Sequence, residues 1–349
     1  MKKRVLVGMS GGVDSSVTAY ILKEQGYEVI GATFNFWDNG KNGASDAACV
    51  CDKLDIPFYT FDVRDEFKTH VVDYFIDSYV KAETPNPCVV CNRHMKWAKM
   101  LSKALELGAD YIATGHYAKV EYDATNNRYS LRNAISGAKD QTYALYNLTQ
   151  EQLSRAIMPL GDYNKTQIRE IAKTLDLSVA DKPESQDICF IPDGDYVGFI
   201  KSYAKIDPGE GNFIDSSGNI LGKHKGIINY TIGQRKGLGI AVGKKIFVSN
   251  IDAVTNEVTL SDEDKLYSKE IFAKNVNFVS ISEIKDGFRC TAKIRYNQKP
   301  ANCTVTLKNG ILKCEFDEAQ RASTPGQALV LYDGGKVLCG GTILKCPII

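Results

Sequence analysis

The chain has 349 residues, enough for two or three domains. Hydrophobic residues make up 44% and charged residues 24%, and 43 Lys and Arg stand against 42 Asp and Glu. That is the composition of an ordinary globular protein, and it excludes a uniformly basic surface. No apolar run approaches the length of a membrane span, and the apolar run after the basic N-terminus is too short for a secretion signal. These features predict a cytoplasmic protein with no membrane partner. In that compartment the ten cysteines are better read as buried, metal-bound or catalytic than as structural disulfides.

The first half alternates strands and helices. Strands are expected at 4–9, 28–34, 57–63 and 110–115, and helices at 15–25, 45–54, 66–80 and 93–107. The fold class is therefore α/β, a parallel sheet with helices on its faces and a ligand site at the C-terminal ends of the strands. Residues 117–135 read as a hairpin turning at Asn126-Asn127, followed by helical patterns at 149–157 and 164–175. After about residue 205, glycine-rich turns and short alternating segments predict two small β-rich, barrel-like units. The expected domains are 1–205, 206–267 and 268–349. Two stretches, 223–245 and 289–313, each carry six Lys or Arg and no acid, which suits a polyanionic partner.

Residues 5–22, VLVGMSGGVDSSVTAYIL, join a buried strand to a helix. Gly11 and Gly12 keep the turn free of side chains, and the helix start adds positive potential, which makes an anion site suited to phosphate. The loop lacks the Gly-Lys-Ser/Thr of a Walker sequence and the Gly-x-Gly-x-x-Gly of a dinucleotide turn. The string Ser10-Gly11-Gly12-Val13-Asp14-Ser15 resembles the pyrophosphate loop of ATP pyrophosphatases, which cleave ATP to AMP and pyrophosphate and adenylate an oxygen of their substrate.

Cysteines supply the second signal. In TPNPCVVCNRHMKW (84–97) the helix is expected to begin near Asn92. Cys91 would then stand at a helix N-terminus among Arg93, His94 and Lys96, surroundings that lower a thiol pKa. A four-cysteine zinc site with Cys49 and Cys51 is the alternative for Cys88 and Cys91. Cys189 falls in a polar loop, DKPESQDICFIPDGD, where burial as an inert thiol is less expected. Cys290, Cys303, Cys314, Cys339 and Cys346 lie in strand-like segments and read as small buried residues.

Six motifs in order, GMSGGVDSS, TPNPC-x-x-CN, TGHYA, KDQTY, DICFI and IGQRKGLG, resemble the tRNA-specific 2-thiouridylases over essentially the whole chain. The resemblance implies ATP-dependent replacement of O2 by sulfur on the wobble uridine of the Lys, Glu and Gln tRNAs. It implies ATP contacts at Gly8, Met9, Ser10, Gly11, Gly12, Val13, Asp14, Ser15, Phe34 and Gly115, with Mg2+. It places the target base at Asn86, Pro87 and Cys88, and tRNA contacts at His116, Lys139, Asp140, Gln141, Arg295, Tyr296 and Gln327. It makes Cys189 the carrier of a persulfide supplied by a sulfur-donor protein, either a cysteine desulfurase or a relay protein. Cys91 is its partner, attacking the persulfide or assisting direct attack on the base. The family usually has Asp where this chain has Cys88. That change puts three cysteines at functional positions, and a 4Fe–4S cluster ligated by all three is the alternative way of holding sulfur. Two other readings are weaker: an adenylating ligase that delivers nitrogen has no need of paired cysteines, and a purely RNA-binding protein needs neither the loop nor the thiols.

Overall fold

The computed structural model describes residues 2–38, 43–182, 188–240 and 242–345. Asp187 of the DICFI stretch and Cys346 lie outside the described residues. Strands β1 (Arg4–Gly8), β2 (Glu28–Asn35), β3 (Phe58–Asp62) and β4 (Tyr111–Ala113) fall where the apolar runs predict them. A hairpin follows, β5 (Ala118–Asp123) and β6 (Arg128–Asn133), and then the two-residue strand β7 (Ala156–Ile157). The parallel sheet has the order β3-β2-β1-β4-β7.

Alternation along β1 feeds two cores. Leu6 points into one, and Val5 and Val7 point into the other, as the period of two in a strand requires. The Val5 side is covered by helices α1 (Val13–Glu24) and α2 (Gly43–Lys53). The Leu6 side is covered by helical segments within 64–80 and by the run 87–106. That second run is α-helical over Pro87–Val90, π-helical over Cys91–Trp97 and α-helical again over Ala98–Glu106. The helix expected at 149–157 ends at Arg155, because Ala156 turns extended and pairs with Ile112 of β4. Pairing at the sheet edge overrides the local helical pattern there.

The second unit pairs β8 (Gly211–Ile214), β9 (Ile220–His224), β10 (Phe247–Asp252) and β11 (Glu257–Ser261) in the order β10-β11-β8-β9. The third comprises β12 (Tyr267–Phe278), β13 (Phe288–Lys293), β14 (Ala301–Lys308), β15 (Ile311–Arg321), β16 (Ala328–Asp333) and β17 (Lys336–Ile343). Their order, β12-β15-β14-β13-β16-β17, is closed into a six-stranded barrel by β12 pairing with β17. Closure removes the exposed sheet edges.

The barrel is bound to the first unit in several places. Strand β6 pairs with β17, so the hairpin extends the barrel's sheet rather than the parallel one. The Tyr143 hydroxyl donates to the Ala328 carbonyl at 2.8 Å, and Asn277 donates to the carbonyls of Tyr146 and Leu148. At Gly340 a Cβ would stand 2.5 Å from the Tyr146 ring, so glycine is required for this close approach. Among the described residues, no helix is long and apolar enough to cross a membrane.

Candidate active site

The phosphate loop lies between β1 and α1, at the C-terminal end of the sheet. Helix α1 starts at Val13, with Gly12 in the N-cap position and no side chain capping it. The first N–H groups of the helix therefore remain available to an anion. Gly11 has φ +69°, and a Cβ there would stand 2.4 Å from the Gly43 carbonyl oxygen. Ser15 closes the turn internally: its hydroxyl donates to the Gly12 carbonyl at 3.1 Å and accepts from the Ser10 N–H at 3.2 Å. Gly115 approaches from β4, where a Cβ would be 2.8 Å from the backbone of Asp14 and Ser15. Gly8 and Gly115 thus flank the loop. Met9 and Val13 are buried beneath it, and the Thr33 hydroxyl donates to the Met9 carbonyl at 2.7 Å. Phe34 is buried against Phe36 and Phe61 at the end of β2.

Two lysines that the sequence motifs did not single out converge on this loop. Lys165, the first residue of the helix Lys165–Thr174, donates to both carboxylate oxygens of Asp14 at 2.7 and 2.8 Å. The Tyr117 hydroxyl donates to the same carboxylate at 2.8 Å. Lys182 donates to the Gly11 carbonyl at 3.0 Å and pairs with Asp46. Bare helix N–H groups, a serine-braced turn and two ammonium groups suit a polyphosphate. Local pattern carries no hint of these lysines, because 151 and 171 positions separate them from their partners.

Cys88 and Cys91 open the helical run that starts with Pro87. The expectation of a start near Asn92 is corrected here: Asn86 is the N-cap, and Pro87 occupies the first turn, where its missing N–H costs nothing. Cys91 consequently lies about one turn inside the helix and is only 6% exposed. Burial pushes its thiol up to about 12, opposed by the Lys96 ammonium, so the predicted lowering is reversed. Lys96 is five residues on. The i to i+5 bonding of the π segment winds the backbone wider than an α-helix, which changes which side chains share a face.

Cys189 is exposed, and burial of its surroundings also raises its thiol, with Lys96 again the opposing charge. Cys91 feels the charge of Cys88 and Cys189, and Cys189 that of Cys88, so the structure gathers the three cysteines despite their separation in sequence. Phe190 anchors the Cys189 segment. It packs against Phe67, Phe75, Phe199 and Trp37, in the same core that holds Cys91.

The zinc alternative does not fit. Cys51 is buried in the core on the α2 side of the sheet and Cys91 in the core on the other side. Among the described residues, no three His, Cys, Asp or Glu side chains are placed to hold a metal ion. Cys88, Cys91 and Cys189 as they stand do not form a cluster-binding set.

The barrel clamps the segment leading to Cys88. The Thr84 N–H donates to the Pro325 carbonyl at 2.8 Å, and the Gln327 amide donates to the carbonyls of Thr84 (2.9 Å) and Pro85 (3.2 Å). The Tyr296 hydroxyl, on the loop between β13 and β14, donates to the Asp140 carbonyl at 3.1 Å, and Tyr296 feels the charge of Cys88. Lys293 lies 5.7 and 5.9 Å from the rings of Tyr143 and Tyr296. Arg295 donates to the Arg321 and Ala322 carbonyls. The Asp140 carboxylate is occupied by the Ala134 N–H and the Thr142 hydroxyl, and Gln141 accepts from the Tyr117 N–H. Lys139 sits on a single 3-10 turn, Gly137–Lys139. His116 is bonded to Thr114 and stacked on Trp97, and burial pushes its imidazole down to about 3, so it is neutral.

The two basic stretches differ. Around 235–246 an open cavity of about 500 Å³ is lined by Arg235, Lys244 and Lys245, among others. In 289–313, Arg289 pairs with Asp317 and Lys313 with Glu270, so part of that charge is neutralised across the sheet.

Fold and loop define a nucleotide-binding enzyme of the pyrophosphate-loop class. Family models described as tRNA methyl transferase HUP domain, tRNA methyl transferase PRC-barrel domain and Aminomethyltransferase beta-barrel domain match residues 3–193, 198–262 and 268–343. The tRNA-specific 2-thiouridylase MnmA of Clostridioides difficile is 50% identical over 357 residues, covering 99% of each chain. That of Acetivibrio thermocellus is 51% identical over 356 residues, covering 98% of this chain and 99% of its own. A 4-thiouridine synthetase solved with RNA and ATP is 18% identical with a TM-score of 0.40, covering 57% of this chain and 50% of that one, too distant to carry weight. The chain belongs to the tRNA-specific 2-thiouridylase family.

Proposed function

We propose that this protein is a tRNA-uridine 2-sulfurtransferase that converts the wobble uridine of the Lys, Glu and Gln tRNAs to 2-thiouridine in the cytoplasm. ATP is consumed to AMP and pyrophosphate. The observation that supports the reading is that Cys91, Cys88 and Cys189, from distant segments, lie within electrostatic reach of one another in a chain that also carries the uncapped glycine turn at the start of α1.

Uracil O2 is a poor leaving group, and ATP supplies the adenylyl group that turns it into one. The N–H groups at the start of α1, with Lys165 and Lys182, hold the phosphates and stabilise the departing pyrophosphate. Asp14, released from Lys165 when that ammonium turns to phosphate, is the carboxylate available to Mg2+. The target uridine leaves its stack and enters beside Asn86, Pro87 and Cys88, on a segment the barrel holds through Gln327. His116, Lys139, Asp140, Gln141, Arg295 and Tyr296 frame the RNA side. Cys189, exposed at the surface, receives sulfane sulfur from a donor protein as a persulfide. Cys91 attacks the inner Cys189 sulfur, the S–S bond to the outer sulfur breaks, and the freed sulfide displaces AMP from C2. A transient Cys91–Cys189 disulfide remains, which a thiol reductant reopens. Residues 1–205 act as the catalytic unit, with 206–267 and 268–349 as the β-rich units that hold the RNA.

The test is a reconstituted reaction with unmodified tRNA, ATP, a persulfide donor and a thiol reductant. AMP and 2-thiouridine should appear together and depend on tRNA. ADP and phosphate as products would contradict the adenylation step.

A further inference from the structure

Four cysteines that this chemistry leaves unused lie within electrostatic reach of one another in the C-terminal barrel: Cys290 on β13, Cys303 on β14, Cys314 on β15 and Cys339 on β17. Cys290 and Cys303 are direct partners in the antiparallel register, with their sulfurs 3.7 Å apart. Cys303, Cys314 and Cys339 are wholly buried, whereas Cys290 is only half-buried. One member of the pair can thus be reached from solvent and the other cannot. The contact between the two sulfurs holds the Cys303 thiol below its ordinary value and the Cys290 thiol above its own, so Cys303 is the group placed to take the Cys290 proton as Cys290 attacks. The set is not placed to ligate a metal ion.

The strands that carry the pair lead into the loop 294–300. Pairing ends at Ala292 opposite Ala301, and Arg295 and Tyr296 follow immediately. Tyr296 is held by the Asp140 carbonyl and Arg295 by the Arg321 and Ala322 carbonyls.

We propose that Cys290 and Cys303 are an oxidation site, separate from the Cys91–Cys189 pair, and that its closure to a disulfide by a hydroperoxide weakens the grip of the β13–β14 hairpin on tRNA. The effect on tRNA rests on the function proposed above; the oxidation site does not. In the first step the Cys290 sulfur attacks the hydroperoxide. The O–O bond breaks, giving a sulfenic acid and an alcohol, or water from hydrogen peroxide. In the second, the Cys303 sulfur attacks the Cys290 sulfur, the S–O bond breaks, and the hydroxide leaves with the Cys303 proton as water. The two thiols lose two electrons and two protons, and the peroxide takes up both. Bond formation draws the sulfurs from contact to about 2.05 Å. The strands must shift at the base of the hairpin, and the loop that carries Arg295 and Tyr296 is re-aimed.

The test treats the full-length protein with graded hydrogen peroxide, blocks remaining thiols with iodoacetamide, maps peptides by mass spectrometry and measures tRNA affinity in parallel. Exposed Cys49 reports the effective oxidant dose. The expected result is a Cys290–Cys303 linked peptide at doses that oxidise Cys49. An affinity loss of roughly fivefold, the scale of one lost charge-assisted contact, should accompany it and be reversed by dithiothreitol. Cys290→Ser and, separately, Cys303→Ala should bind tRNA normally when reduced and lose this sensitivity. Separate alkylation of both thiols at those doses, a Cys303–Cys314 link in their place, or an equal affinity loss in the two variants would overturn the inference. Failure of the reduced protein to bind tRNA at all would instead overturn the proposed function.

Discussion

Cys91 carries a thiol raised by burial, with Lys96 the main influence opposing that rise. At neutral pH it is protonated in the resting protein, and its reactivity should climb as the pH rises toward about 12. Iodoacetamide at pH 7.5 should therefore modify exposed Cys49 and Cys88 well before Cys91; modification of Cys91 first would contradict its placement. Cys91→Ser should accumulate a persulfide on Cys189, seen as a gain of one sulfur in the intact mass. Cys88→Ser should slow thiolation modestly, because a thiol there is at most a proton carrier. A loss as complete as that from removing Cys189, with iron released, would favour the cluster mechanism instead. The candidate pair is legible at this scale only through the family motifs. Local pattern misjudges the environment of Cys91, because two prolines suggest a delayed helix, whereas Pro87 begins it and draws Cys91 into the core. Lys165 and Lys182 leave no trace, since their partners are far away in sequence.

Gly115 links two elements, the end of β4 and the start of α1. A methyl group there would press on the backbone of Asp14 and Ser15 rather than on a flexible side chain. Gly115→Ala should weaken ATP binding by about tenfold or more, a displacement cost of about 1.4 kcal/mol. Gly137→Ala, with nothing within 4 Å of the added carbon, should leave it unchanged. Isothermal titration with a non-hydrolysable ATP analogue measures both, and equal effects would remove the steric argument. The elements themselves are well marked in sequence. All four early strands and the hairpin turn follow apolar period and turn chemistry. What stays hidden is β6 pairing with β17, because the partner of an edge strand some two hundred residues away has no local signature.

At the scale of the whole molecule, the proposed function assigns the holding of RNA to the barrel and the basic loop of the second unit. Lys236, Lys244 and Lys245 lie on or beside the open cavity, with Lys244 already shared with Asp262. Replacing the three by Ala should weaken tRNA binding and flatten the slope of log affinity against log salt by about two units, fewer than three because Lys244 is partly neutralised. An unchanged slope would make them solvated surface only. Gln327→Ala should release the segment at Thr84 and Pro85 and lower kcat for thiolation more than it weakens tRNA binding, since its two hydrogen bonds hold the pocket rather than the RNA. The most direct measurement of the central claim uses Cys189→Ser protein with ATP, unmodified tRNA and a persulfide donor, scoring AMP and 2-thiouridine in the same sample by mass spectrometry. The account predicts tRNA-dependent AMP without 2-thiouridine; 2-thiouridine at the wild-type level would contradict it.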